Sequence, residues 1–172
     1  RSSDYNNQTM VIIVTSKNNQ EKLTPLIDKL SNIKEIRSII NNINHKKADV
    51  SYSEEQYLLY GNDFITEKIG NYKFKISPDS FFQTNSKQTK KLYEIIKKEA
   101  NLKGSEIIYD LYCGTGTIGI YLSGKAKKIF EFEIIPSAID DAIINASNNN
   151  VKNALFFKGD IKNILTENKE MD

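Results

Sequence analysis

Ile107-Ile-Tyr-Asp-Leu-Tyr-Cys-Gly-Thr-Gly-Thr-Ile-Gly119 decides how this chain is read. Ile107, Ile108, Tyr109 and Leu111 form a short apolar run, the pattern of a parallel strand covered on both faces. Gly114, Gly116 and Gly119 follow at once. Lacking a Cβ, they let the backbone turn tightly and approach a ligand closely. The stretch therefore predicts a strand, a glycine-rich turn and a helix whose first N–H groups point at a bound group.

The glycines also spell G-x-G-x-x-G, the dinucleotide fingerprint, and Glu133 stands near the distance expected of a ribose-binding acid. A dinucleotide-binding module is thus a competing reading. Asp110 opposes it. A carboxylate four residues before Gly114, near the strand tip, repels a pyrophosphate and attracts an ammonium. S-adenosylmethionine carries an α-ammonium group and a ribose and has no phosphate. Asp-x-x-x-Gly-x-Gly with a later acid is similar to the pattern of class I methyltransferases. A bare strand–turn–helix without a ligand is the remaining alternative.

Composition sets outer bounds. The chain has 172 residues, enough for one or two domains, with 39% apolar and 27% charged residues, as in a soluble globular protein. A net charge of +2 permits a nucleic-acid partner without demanding one. No apolar run is long enough to span a membrane and no signal peptide is evident, so a cytoplasmic setting is expected. The single cysteine excludes an internal disulfide, and one histidine with one cysteine makes a poor zinc site, so no metal is expected.

Earlier in the chain, Met10 to Thr15 reads as a buried strand and Glu21 to Leu30 as a helix with Leu23, Leu26, Ile27 and Leu30 on one face. Ile36 to Ile43 fits strand and helix equally well. Tyr57 to Ile65 reads as strand, Gly-Asn-Asp turn and a second strand, and Tyr72, Phe74 and Ile76 alternate with lysines. His45, beside Lys46 and Lys47, reads as a surface residue. Asn85 and Gln88 have capping-box spacing for a helix over 86–100, with Leu92, Ile95 and Ile96 inward and an end near Gly104.

Beyond the central stretch, Lys128 to Pro136 predicts a second strand with Glu133 at its carboxyl end, where open α/β sheets bind ligands. A helix to about Asn148 follows, with Ala138, Ala142, Ile143 and Ala146 inward. Ala154 to Phe157 is a third strand. Asp160 at its tip suits both an adenine contact and a cap for a helix over 161–165.

Ser80-Phe-Phe-Gln-Thr-Asn85, Asp110-Leu-Tyr-Cys-Gly-Thr-Gly116, and Glu133 to Ala142 with Asn145-Ala146 resemble the RNA 5-methyluridine (uracil-C5) methyltransferases. Ile39 to Asn44 and Leu59 to Ile65 resemble that family's central domain. The resemblance implies S-adenosylmethionine as cofactor and carbon 5 of a uridine in ribosomal or transfer RNA as target. It implies an α/β fold: the first half of a Rossmann-like class I methyltransferase sheet over 79–172, preceded by a small α+β domain over 1–78. It assigns cofactor contacts to Gln83, Tyr112, Glu133 and Asp160. Thr117 sits where the family sometimes adds a further polar contact; the residues themselves, and not the resemblance, add Asp110, Gly114 and Gly116 to the set. Another class I methyltransferase substrate remains an alternative.

The resemblance also implies what is missing. The family's nucleophilic cysteine and its base follow an Asp-Pro-Pro-Arg-like segment that this sequence lacks, and Cys113 is not at the nucleophile's place. No catalytic residue is therefore assigned, and the chain is expected to be an internal piece, inactive alone. The cut leaves the Ile107–Tyr112 strand without a neighbour on one side, so self-association, or pairing with another part of the chain, is expected.

Overall fold

In a computed structural model that describes residues 1–45 and 53–167, the chain forms two compact units. One comprises Arg1–Glu67 with Ile76–Asp79; the other comprises Lys68–Lys75 and the chain from Ser80 onward.

The first unit is a four-stranded sheet in the order β1 (Ser2–Ser3), β2 (Gln8–Thr15), β3 (Ile36–Ile43), β4 (Glu55–Gly61). β2 and β3 are parallel and joined by helix α1 (Gln20–Ser31); the outer pairs are antiparallel. Asn19 caps α1 by accepting from the Lys22 N–H at 3.3 Å. Leu23, Ile27 and Leu30 are half-buried, but Leu26 is exposed. The ambiguous 36–43 stretch is a strand. Every residue from Ser38 to Ile43 is buried, so the usual alternation is absent. Asn41 is buried because its amide donates to the Ile13 carbonyl and the Thr15 hydroxyl, each at 2.9 Å. His45 lies 3.9 Å from Glu54 at the surface; Lys46 and Lys47 lie outside the described residues.

β5 (Ile65–Ile69) and β6 (Tyr72–Ile76) form a hairpin around Gly70-Asn71, where Gly70 takes φ 61°. Residues 68–75, which the sequence groups with the first domain, cluster with the second unit. That unit continues with α2 (Ser86–Ala100), β7 (Ile107–Asp110), α3 (Thr117–Leu122), β8 (Lys128–Glu133), α4 (Pro136–Asn148), β9 (Ala154–Lys158) and α5 (Ile161–Glu167). β7, β8 and β9 form a parallel sheet in that order. Phe130 and Phe132 point to one face and pack against Tyr109 and Phe157 of the neighbouring strands, at centroid distances of 5.0–6.3 Å. Ile129, Glu131 and Glu133 point to the other. Ile69, Phe74, Tyr93, Ile120, Tyr121 and Ala146 form a core cluster.

Three side-chain expectations are corrected. In α2 the inward stripe is Thr89, Tyr93 and Ile96, while Leu92 and Ile95 are exposed. Tyr93 sets this rotation, with its ring edge-on to Tyr121 at 5.4 Å. The helix ends at Asn101, in the left-handed conformation at φ 46°, before Gly104. In α4 Ile143 is exposed, and Asp141 and Asn145 are buried beside Ala138, Ala142 and Ala146. β7 is not covered on both faces: Ile107, Tyr109 and Leu111 are each more than 40% exposed, and among the described residues β7 pairs with β8 alone. Among those residues no helix is long and apolar enough to cross a membrane.

Candidate cofactor site

The tips of β7, β8 and β9 carry the acidic residues singled out in the sequence. Glu133 ends β8 and is buried. One carboxylate oxygen accepts from the Gly114 N–H at 3.0 Å and the other from the Ile135 N–H at 2.8 Å. Each oxygen keeps further acceptor capacity. Glu133 therefore shapes the glycine-rich turn as well as standing at the strand tip. Gly114 and Gly116 take φ 55° and 74°, where a Cβ is disfavoured. The Gly116 N–H donates to the Cys113 carbonyl at 2.9 Å. The turn's N–H groups are thus not all aimed outward as the sequence suggested. Gly114's is taken by a carboxylate, where a pyrophosphate-binding turn needs donors.

Asp110 ends β7 beside this turn. One of its carboxylate oxygens is buried without a hydrogen-bond partner. Burial raises its pKa, opposed by the Tyr112 N–H and reinforced by Glu133. A buried acceptor of this kind calls for a donor, and a cationic donor relieves both its desolvation and its repulsion from Glu133. The tips of the three strands border a cleft lined by Leu111, Tyr112, Ile134, Gly159, Asp160 and Ile161. Tyr112 is 82% exposed, a flat aromatic surface at its edge. Asp160 caps α5 by accepting from the Lys162 N–H at 2.8 Å, and its side chain is otherwise exposed.

Gln83 is exposed in the stretch leading to α2, which Asn85 caps by accepting from the Gln88 N–H at 3.0 Å. That stretch passes close to the turn: a Cβ placed on Gly114 would lie 4.0 Å from the Phe81 carbonyl oxygen. Thr117 opens α3, but its hydroxyl shares a 2.7 Å hydrogen bond with the Tyr93 hydroxyl. In the structure its partner is α2.

Cys113 is buried, with its sulfur 3.6 Å from the Gly114 carbonyl oxygen. Burial first, then the carboxylates of Glu131, Asp110 and Glu133, push its thiol far up. It stays protonated and is a poor nucleophile.

The sequence model of the tRNA (uracil-5-)-methyltransferase family matches residues 4–164. The chain belongs to this family. An uncharacterized RNA methyltransferase of Clostridium tetani is 44% identical over 161 residues, 93% of this chain and 35% of that protein. The Pyrococcus abyssi tRNA (uracil-54, C5)-methyltransferase, solved with S-adenosyl-L-homocysteine, superposes with a TM-score of 0.71 at 34% identity. That match covers 92% of this chain and 37% of the other. A Methanocaldococcus jannaschii tRNA m1G37 methyltransferase superposes at 0.59 over 90% of this chain and 48% of its own, but at 14% identity it shares the fold alone. The chain thus spans about a third of the length of the Clostridium tetani and Pyrococcus abyssi relatives it matches.

Within this family member, one buried acid next to Asp110 escaped the sequence reading. Glu131 is fully buried in β8, opposite Asp110, and neither carboxylate oxygen has a hydrogen-bond partner. Burial, then Asp110, raises its pKa to about 8, opposed by the weak donor of the nearby Cys113 thiol, which forms no well-aligned hydrogen bond with it. Gly119 is the reason it fits, since a Cβ there would overlap the Glu131 carboxylate. The third glycine of the motif makes room for a side chain, not for a ligand. The signal was a glutamate inside an otherwise apolar strand, Ile129-Phe-Glu-Phe132.

Proposed function

We propose that this chain is the S-adenosylmethionine-binding part of an enzyme that methylates carbon 5 of a uridine in transfer or ribosomal RNA. The observation that carries the reading is the acidic rim. Glu133 is held by two N–H groups, and Asp110 beside it keeps a buried oxygen without a donor. A ligand with an ammonium group and ribose hydroxyls matches that rim; a pyrophosphate does not. This favours S-adenosylmethionine over a dinucleotide. Family membership favours RNA over other methyltransferase substrates.

When bound, the cofactor supplies an electrophilic methyl group. The protein's part is to bind and orient it. Glu133 accepts from the ribose hydroxyls, Asp110 faces the ammonium, Tyr112 packs beside the ligand, and Asp160 accepts from the adenine amino group. Gln83, two residues beyond the Phe81 carbonyl that approaches Gly114, supplies an amide. Uracil carbon 5 becomes nucleophilic only after a thiolate adds to carbon 6, and a base must then remove the carbon 5 proton. The buried, protonated Cys113 does not perform that addition.

The chain alone is therefore expected to release no tritium from 5-tritiated uridine in RNA supplied with S-adenosylmethionine. Release above background that disappears in Cys113→Ser would make the chain a complete enzyme and overturn this division of labour. The half-exposed β7 belongs to the same reading, with self-association of the isolated chain through that edge as the expected remedy. Light scattering at high concentration is expected to detect species larger than a monomer; a strictly monomeric chain would contradict it.

A further inference from the structure

Asp141 and Asn145 lie in a motif that carries the family resemblance, yet neither borders the strand-tip cleft. Both are buried on the inward face of α4. Asp141 uses both carboxylate oxygens. One lies 3.0 Å from the Lys75 Nζ, and the other accepts from the Ser80 hydroxyl at 2.7 Å. Its pairing with Lys75 offsets the cost of burying it, and Ser80 is wholly buried with it. Asn145, one turn along, accepts from the Lys75 N–H at 2.6 Å and donates to the carbonyls of Lys75 and Thr115, each at 3.2 Å. A further turn along, Asn149 accepts from the Lys73 N–H at 2.9 Å and donates to the Lys73 carbonyl at 2.6 Å.

Spacing explains the ladder. Four helical residues rise about 6 Å, and two strand residues advance about 6.6 Å. Asn145 and Asn149 therefore meet Lys75 and Lys73 in register, and their amides stand in for a neighbouring strand. Asp141 continues the row to Ser80. One helix face thus holds β6, the glycine-rich turn through Thr115, and the start of the Ser80-Phe-Phe-Gln83 stretch.

That stretch is fixed at each end of Gln83. Ser80 is bonded to Asp141, and the Phe82 ring packs on Phe74 at 6.0 Å. Asn85 caps α2. Gln83 itself is exposed, so its location is set by these neighbours and not by its own burial. We propose that Asp141 is a positioning residue for cofactor binding, which acts through Ser80 to fix Gln83 against the glycine-rich turn. This rests on the reading that Gln83 contacts S-adenosylmethionine.

The test is calorimetric titration of S-adenosylhomocysteine into the wild-type protein, Ser80→Ala, Gln83→Ala and the double variant, all well below their melting temperatures. Each single change is expected to weaken affinity roughly two- to tenfold, the range of one hydrogen bond. The double variant is expected to bind no more weakly than Gln83→Ala, because Ser80 acts only through Gln83. A residue that merely stabilises the fold lowers the melting temperature without this coupling. Losses that multiply in the double variant overturn the proposal. So does an unchanged affinity in Ser80→Ala where Gln83→Ala binds more weakly. Unchanged affinity in Gln83→Ala removes the Gln83 reading, and this proposal with it. Asp141→Ala, which removes the acceptor of the Ser80 hydroxyl, reads the same coupling if Ser80→Ala does not fold.

Discussion

Glu131→Gln is expected to abolish a loss of stability that the wild-type chain shows as pH rises from about 5 to 8. Glu131 is fully buried and meets no donor stronger than the Cys113 thiol, so the folded state favours the neutral acid. Its pKa is raised to about 8 by burial and by Asp110. In the unfolded chain it ionises in the usual carboxylate range. Between those two values the folded state binds the extra proton, so raising the pH favours unfolding. Its stabilising contribution is complete below the unfolded pKa and is lost as pH passes through the folded one. The slope is roughly 1.4 kcal/mol per pH unit across that window. Thermal melts of both proteins from pH 5 to 9 measure it. The variant's advantage should widen with pH; parallel curves would mean that Glu131 is charged or solvated in the folded protein.

The second large effect belongs to Glu133. Glu133→Ala removes the acceptor at the β8 tip and also releases the Gly114 and Ile135 N–H groups it holds. Affinity for S-adenosylhomocysteine is expected to fall by about 1–3 kcal/mol, the scale of a charged hydrogen bond. Glu133→Gln separates the two roles. It retains an acceptor oxygen but loses the charge and one of the two acceptors, so an intermediate affinity is expected. Affinity in Glu133→Ala equal to the wild type would remove the residue from the site.

What the sequence made legible was set by backbone signals. Glycines, Pro136 and alternating apolar runs marked the β7 turn, α4 and β8 closely, and Asn85 marked the start of α2. Side-chain facing was harder. Leu92 and Ile95 are apolar at helical spacing, yet Tyr93 and Thr89 face inward because Tyr93 has both a ring partner in Tyr121 and a hydroxyl partner in Thr117. Apolar content cannot rank two candidate stripes when a tyrosine satisfies its hydroxyl inside.

The same limit hid the polar interior. Asp141, Asn145 and Glu131 look like solvent-facing residues until their partners are known. Lys75 lies more than sixty residues before Asp141, and Gly119 twelve before Glu131. Likewise, the apolar run of β7 spells a strand covered on both faces, while its coverage depends on what pairs with it.

On the proposed function, the strand tips of the second unit bind S-adenosylmethionine and not a dinucleotide. Calorimetric titration of the 172-residue chain with S-adenosylhomocysteine and, in parallel, with NAD tests it directly. The acidic rim of Asp110 and Glu133 predicts saturable one-to-one binding of S-adenosylhomocysteine and none of NAD. Binding of NAD, or of neither ligand, would contradict it.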